Sequence, residues 1–100
     1  MTLVQVTPRA RADLRVIARW TLRNWGEARM KTYLPDLSVR FDWLARNPLK
    51  GRLRPEIGDG HRSFPEGRHL VFCRIIPDGV AVIGVPHQSM DVTEHFSPAP

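Results

Sequence analysis

The chain predicts an α+β domain of two layers, an antiparallel helix hairpin packed on a small, mostly antiparallel sheet, in the order β-α-α-β-β-β. Three observations carry this. Residues 7–48 hold two long helical periodicities separated by a single glycine, Gly26. Residues 61–87 hold three strand-like runs joined by Pro-x-Gly connections. A β-branched run, TLVQV, stands ahead of the first helix. Helices and strands grouped in separate runs give segregated layers rather than alternating βαβ units.

Each element has its own justification. TLVQV is short and β-branched, as strands are. In TPRARADLRVIARWTLRNWG, Thr7 suits an N-cap and Pro8 the first helical position. Ala10, Leu14, Ile17, Thr21 and Trp25 recur at three- and four-residue spacing and make one face. Gly26 suits a helix end and leaves so short a link that the next helix must turn back. The second helix reads EARMKTYLPDLSVRFDWLARNP, with Met30, Tyr33, Leu34, Leu37, Phe41, Leu44 and Ala45 in period and Pro48 as the stop. Pro35 is discordant, since it removes one backbone hydrogen bond. The apolar stripe runs past it, so one kinked helix is expected rather than two. LKGRLRPEIGDG reads as a loop, and HRSF, RHLVFCRII and VAVIGVPH as strands with turns at PEG and PDG. The run at 68–76 is apolar on both parities, which places it centrally with both faces covered. MDVTEHF suits one helical turn, giving a single domain over 1–96 and a disordered tail at 97–100.

At 100 residues and 42% hydrophobic, the chain makes one globular domain with a small core. Net charge is +5, and every one of the 15 basic residues except Lys31 and Lys50 is arginine. Arginine is the side chain for planar contact with carboxylate or phosphate. An acidic partner follows, nucleic acid or an acidic protein segment. No helix is read as basic along one face without apolar interruption, which argues against a plain DNA-binding module. The lone Cys73 excludes an internal disulfide and is expected to be a buried small hydrophobe. No apolar run approaches the roughly 20 residues of a membrane helix. MTLVQVTPRA is too short and polar for a signal peptide, so the cytoplasm is the expected compartment.

Taken in order, a set of residues resembles the RelE/ParE toxins of bacterial toxin–antitoxin pairs, and the ParE branch more than the RelE branch. They are Ala12-Asp13-Leu14, Ile17 and Trp20, then Trp25-Gly26, then Tyr33, Leu37, Phe41 and Leu44. Pro48, Gly51-Arg52 and Arg54-Pro55-Glu56 follow in the loop. Arg62-Ser63-Phe64, Gly67-Arg68-His69-Leu70-Val71-Phe72, His87 and Met90-Asp91 complete the set, which spans nearly the whole chain. Pro35, Cys73 and Pro86 depart from the family pattern. The resemblance implies a toxin neutralised by a ParD-like antitoxin in a hetero-oligomer, with DNA gyrase as its target and no cofactor. The RelE branch implies instead ribosome-dependent cleavage of mRNA. One fold serves both, so the site has to decide.

RNA cleavage through the 2′-hydroxyl needs a base, an acid and cations around the phosphate. The resemblance aligns Arg62 with the strand arginine of the RelE branch, and the loop offers Lys50, Arg52 and Arg54. The C-terminal stretch VPHQSMDVTEHF has neither arginine nor tyrosine, and Phe96 stands about where the tyrosine would be. The acid–base set is incomplete, and no catalytic residue is assigned. His87 with Arg62 is the alternative catalytic reading, because histidine titrates near neutrality. The other reading has His87 end the last strand and bond nearby backbone. His61, His69 and His95 show no metal spacing and read as ordinary surface histidines. Arg62, Arg68 and Arg74 alternate on the strands as a candidate basic stripe. Together with Arg52, Arg54, Trp20, Trp43, His87 and Met90 they form the candidate surface for antitoxin or target. The rings of Trp20, Trp25 and Trp43 read first as hairpin packing, any left exposed being a docking patch.

Overall fold

The computed structural model describes residues 2–96; the tail expected at 97–100 lies outside them. Strand β1 (Leu3–Val6) leads into α1 (Pro8–Trp25) and α2 (Glu27–Arg46), and a 3-10 turn at Pro48–Lys50 follows. Then come β2 (Arg52–Leu53), β3 (His61–Glu66), β4 (His69–Ile76), β5 (Gly79–Gly84) and a terminal α3 (Val92–Phe96). The sheet order is β1-β5-β4-β3-β2, with β1 parallel to β5 and every other pairing antiparallel. The expected two-layer α+β architecture is present, with β4 at the centre.

Thr7 accepts a hydrogen bond from the backbone N–H of Ala10 and caps α1, and Gly26, at φ 87°, lets α2 fold back at once. α2 runs unbroken through the exposed Pro35. Its buried residues Tyr33, Leu37, Phe41 and Leu44 meet Ala10 and Ile17 of α1 above Val71, Cys73, Val80 and Val82 of the sheet. Phe72 faces the other way and is equally buried. The Phe96 ring of α3 covers it at 4.9 Å and the Arg54 guanidinium at 5.0 Å. That second cover explains why β4 is apolar on both parities.

Two details differ from the sequence reading. The segment 49–60 is not all loop, since Arg52 and Leu53 pair with Ser63 and Arg62 as strand β2. Two residues are too few to carry a periodicity signal. Pro65 is not in a turn but inside β3, opposite Leu70. β2 covers only residues 62–63 of that edge, so beyond them a residue without an N–H leaves no ladder bond unmade. The turn is Gly67-Arg68, closed by the Glu66–His69 pair, and Gly67 takes φ 57°. On the opposite hairpin Asp78 takes φ 67°, and a side chain on Gly79 would collide with the backbone of Leu3 in β1.

Candidate functional site

A groove runs along one side of α1. Its wall on α1 is built by Asp13, Val16, Trp20 and Trp25, at three- to five-residue steps. The facing wall is the stretch after β5, with Val85, Pro86, His87 and Met90. Backbone bonds fix that stretch against β4: Leu70 N–H donates to Pro86 and Gln88 N–H to Arg68, with His87 bridged to His69. Beyond Trp20 the groove opens onto a cleft floored by Tyr33, Gly67 and His69 and lipped by Arg29 and Arg68. Val16, Trp20, Trp25 and Met90 keep 50%, 41%, 56% and 47% of their surface open. That much exposed apolar surface around one groove and the cleft it opens onto marks a docking face.

His69 and Tyr33 sit at the centre. The Tyr33 hydroxyl donates to the Glu66 carbonyl at 3.0 Å, accepts from Arg68 N–H at 3.2 Å and lies 2.7 Å from His69 Nδ1. The hydroxyl has one proton and the carbonyl can only accept, so the consistent tautomer has Nδ1–H of His69 donating to the tyrosine oxygen. Burial pulls the His69 pKa down to about 4, and neighbouring His87, its ring 5.3 Å away and edge-on, acts in the same direction. Burial raises the Tyr33 pKa, opposed by the Arg68 N–H. Gly67 is required here, since a Cβ would meet the Tyr33 ring at 2.7 Å. His87 itself is tied by Nδ1 to Ser89, 2.8 Å from its hydroxyl and accepting from its N–H at 3.1 Å. This is a tightly hydrogen-bonded polar core beneath an apolar groove.

The structure sorts the residues singled out from the sequence. Trp20, His87, Met90 and Arg68 belong to the groove, and Arg68 stacks on Trp25 at 5.7 Å. The stripe of Arg62, Arg68 and Arg74 does not form. Arg62 pairs with Cys73 on the helix side and donates to the Gly51 carbonyl at 2.8 Å. Arg74, next along β4, faces the other side and is exposed. Arg54 binds Glu56 and Ser63 beneath the sheet, and Arg52 is exposed on β2. Trp43 packs on Phe64 of β3 at 5.0 Å with Arg40 over both rings, so it joins α2 to the sheet and lies outside the groove. Trp20 and Trp25 are not packing residues but half-open. His87 and Arg62 are not brought together either: His87 bridges to His69, whereas Arg62 pairs four residues further along β4, roughly 13 Å away along the strand.

Two of the histidines read as surface residues are not. His69 is 7% exposed, and His95 Nε2 lies 3.0 Å from the Asp13 carboxylate, which also accepts from Val85 N–H at 2.8 Å. The signal for His69 was present, because it shares its parity with Val71 and Cys73. Cys73 is buried as expected, and that burial pushes its thiol up to about 11. Among the described residues no group of three or more His, Cys, Asp or Glu is placed to hold a metal ion, and no helix is long and apolar enough to cross a membrane.

Residues 4–92 match the family described as ParE toxin of type II toxin-antitoxin system, parDE. The chain is similar to Toxin ParE1 of Mycobacterium tuberculosis, 38% identical over 92 residues that span 91% of this chain and 94% of that one. It is likewise similar to Toxin ParE of Escherichia coli, 32% identical over 95 residues, 92% of this chain and 90% of that one. The fold is that of a chain in the chromosomal ParDE system of P. aeruginosa, with a TM-score of 0.72 at 18% identity, covering 87% of this chain and 96% of that one. A chain of the RelBE2 toxin–antitoxin complex of M. tuberculosis matches at a TM-score of 0.57 and 27% identity, over 86% and 96% of the two chains. With the family matched along nearly its whole length, the chain belongs to the ParE toxins of type II toxin–antitoxin systems.

Proposed function

We propose that this toxin is neutralised by a ParD-like antitoxin whose C-terminal amphipathic helix lies in the α1 groove, and that it inhibits DNA gyrase as a binding protein without chemistry of its own. The observation that carries the first part is the set of half-open Val16, Trp20, Trp25 and Met90 around the groove and its cleft. An amphipathic helix buries such a set through anchors on one face. Arg29 and Arg68, stacked on Tyr33 at 4.9 Å and on Trp25 at 5.7 Å, suit acidic residues flanking that helix. The non-catalytic part is supported by His69 held neutral inside and His87 tied to Ser89.

The antitoxin part is tested by Trp20→Ala against the cognate antitoxin. Loss of a central aromatic anchor is expected to weaken binding by about 2 kcal/mol or more, some 30-fold, in the dissociation rate. Unchanged affinity would move the interface elsewhere. For the target, toxin added to purified gyrase is expected to block supercoiling and trap cleaved DNA, and to leave mRNA on programmed ribosomes uncut. His87→Ala should alter toxicity little. Site-specific mRNA cleavage abolished by His87→Ala would replace this reading with a RelE-like RNase, where losing the acid or base costs typically 10²–10⁴ in rate.

A further inference from the structure

The sequence predicts no helix basic along one face without apolar interruption, yet α1 carries Arg11, Arg15, Arg19 and Arg23 in an unbroken i, i+4 series, all four exposed. Among the described residues none of the four makes an ion pair, a side-chain hydrogen bond or a ring contact. The one carboxylate on α1, Asp13, is committed to His95 and Val85. The apolar residues Ala12 and Leu22 share this face, but neither lies between successive arginines of the series. The series is separate from the groove, which uses Asp13, Val16 and Trp20.

We infer that this arginine ridge is a contact for the phosphate backbone of duplex DNA. Successive members are about 6 Å apart along the helix axis, so four guanidiniums span about 18 Å. Each also turns about 40° around the axis, so the outer two diverge by about 120°. A flat acidic surface reaches only two or three such side chains. The two phosphate walls of a groove reach all four, Arg11 and Arg15 on one side and Arg19 and Arg23 on the other. The major groove of B-form DNA, about 12 Å wide, admits a helix. The deep, narrow groove of A-form RNA does not. Arginine rather than lysine throughout fits forked contact with phosphate oxygens. With Leu22 as the lone large apolar residue on the face, the ridge lacks the apolar centre that a protein interface uses. The readout is backbone only, and DNA sequence is not discriminated.

The test measures binding of the purified chain to a labelled DNA duplex across a salt series, with neither gyrase nor antitoxin present, so its failure and that of the proposed function are separable. Four phosphate contacts give a slope of log K against log salt of about −3.6, or about 150-fold between 50 and 200 mM. The variant Arg11→Gln/Arg15→Gln/Arg19→Gln/Arg23→Gln is expected to lose nearly all of that slope. Glutamine is a good helix former, so circular dichroism and the thermal midpoint should be unchanged. A second variant removes the same charge elsewhere, at the exposed Arg46, Lys50, Arg52 and Arg74, and is expected to keep most of the slope. Equal losses in the two variants would reduce the effect to net charge and overturn the proposal. So would an RNA duplex or polyglutamate binding the ridge as tightly as DNA, or DNA affinity that the ridge variant leaves unchanged.

Discussion

At neutral pH the His69 imidazole is uncharged between Tyr33 and His87, and the cost of charging it there links stability to acid. Its pKa falls from an ordinary 6.5 to about 4 on folding, through burial first and His87 second, with Asp13 opposing. As pH drops below about 6.5 the unfolded chain takes up this proton while the folded chain does not. Stability is therefore full above that pH and declines through the window down to about 4, by about 3 kcal/mol. Urea midpoints measured from pH 7 to 4 should fall accordingly, and His69→Gln, which keeps a donor for Tyr33 and cannot titrate, should flatten the curve. An acid sensitivity that survives in the variant would assign it to another group. Residue-scale facts such as this were the least legible in the sequence. The parity of His69 pointed inward, but its partner Tyr33 lies 36 positions away, and no local pattern joins them. Trp20, Trp25 and Trp43 looked alike in sequence and differ in the fold, because Trp43 packs on the Phe64 ring of β3 while Trp20 leans on His87 and Trp25 on Arg68 at the open groove.

Elements were legible wherever a long pattern met a good stop signal. The Thr7 cap, the Gly26 bend and the two helical stripes appear in the fold as read, and the double-parity strand is the central one. The reading failed where pairing, not pattern, decides: β2 exists through two register partners, and Pro65 is tolerated by the absence of a third. Pro35 tests the helix scale. It lies on the exposed side of an unbroken α2 and leaves the Lys31 carbonyl without its intrahelical donor. Pro35→Ala restores that bond and should stabilise the domain by about 1 kcal/mol with the fold unchanged. A lower denaturation midpoint would show that the proline sets a helix curvature the packing needs.

For the molecule as a whole, the two walls of the groove differ in charge, since α1 is rich in arginine and the wall after β5 is acidic. Every Lys and Arg lies at or before Arg74, whereas the stretch that walls the groove after β5 carries Asp91 and Glu94 and no permanent cation. Antitoxin association should therefore be steered by Arg29 and Arg68 at the lip. Its on-rate is expected to fall as ionic strength rises from low to physiological, while the off-rate, set by apolar burial, changes little. Stopped-flow rates over that range check this, and a flat on-rate would remove the lip arginines from recognition. The parallel pairing of β1 with β5 has a consequence on the ribosome. Leu3 to Val6 are translated well before their partners Gly79 to Val82, and before His87 and Met90 of the groove wall. At about 5–20 residues per second, a nascent chain spends on the order of ten seconds with an unpaired first strand and half a groove. The toxin's sheet and its docking face are thus completed together, only once β5 and the stretch after it have emerged, and a chain arrested before β5 carries neither.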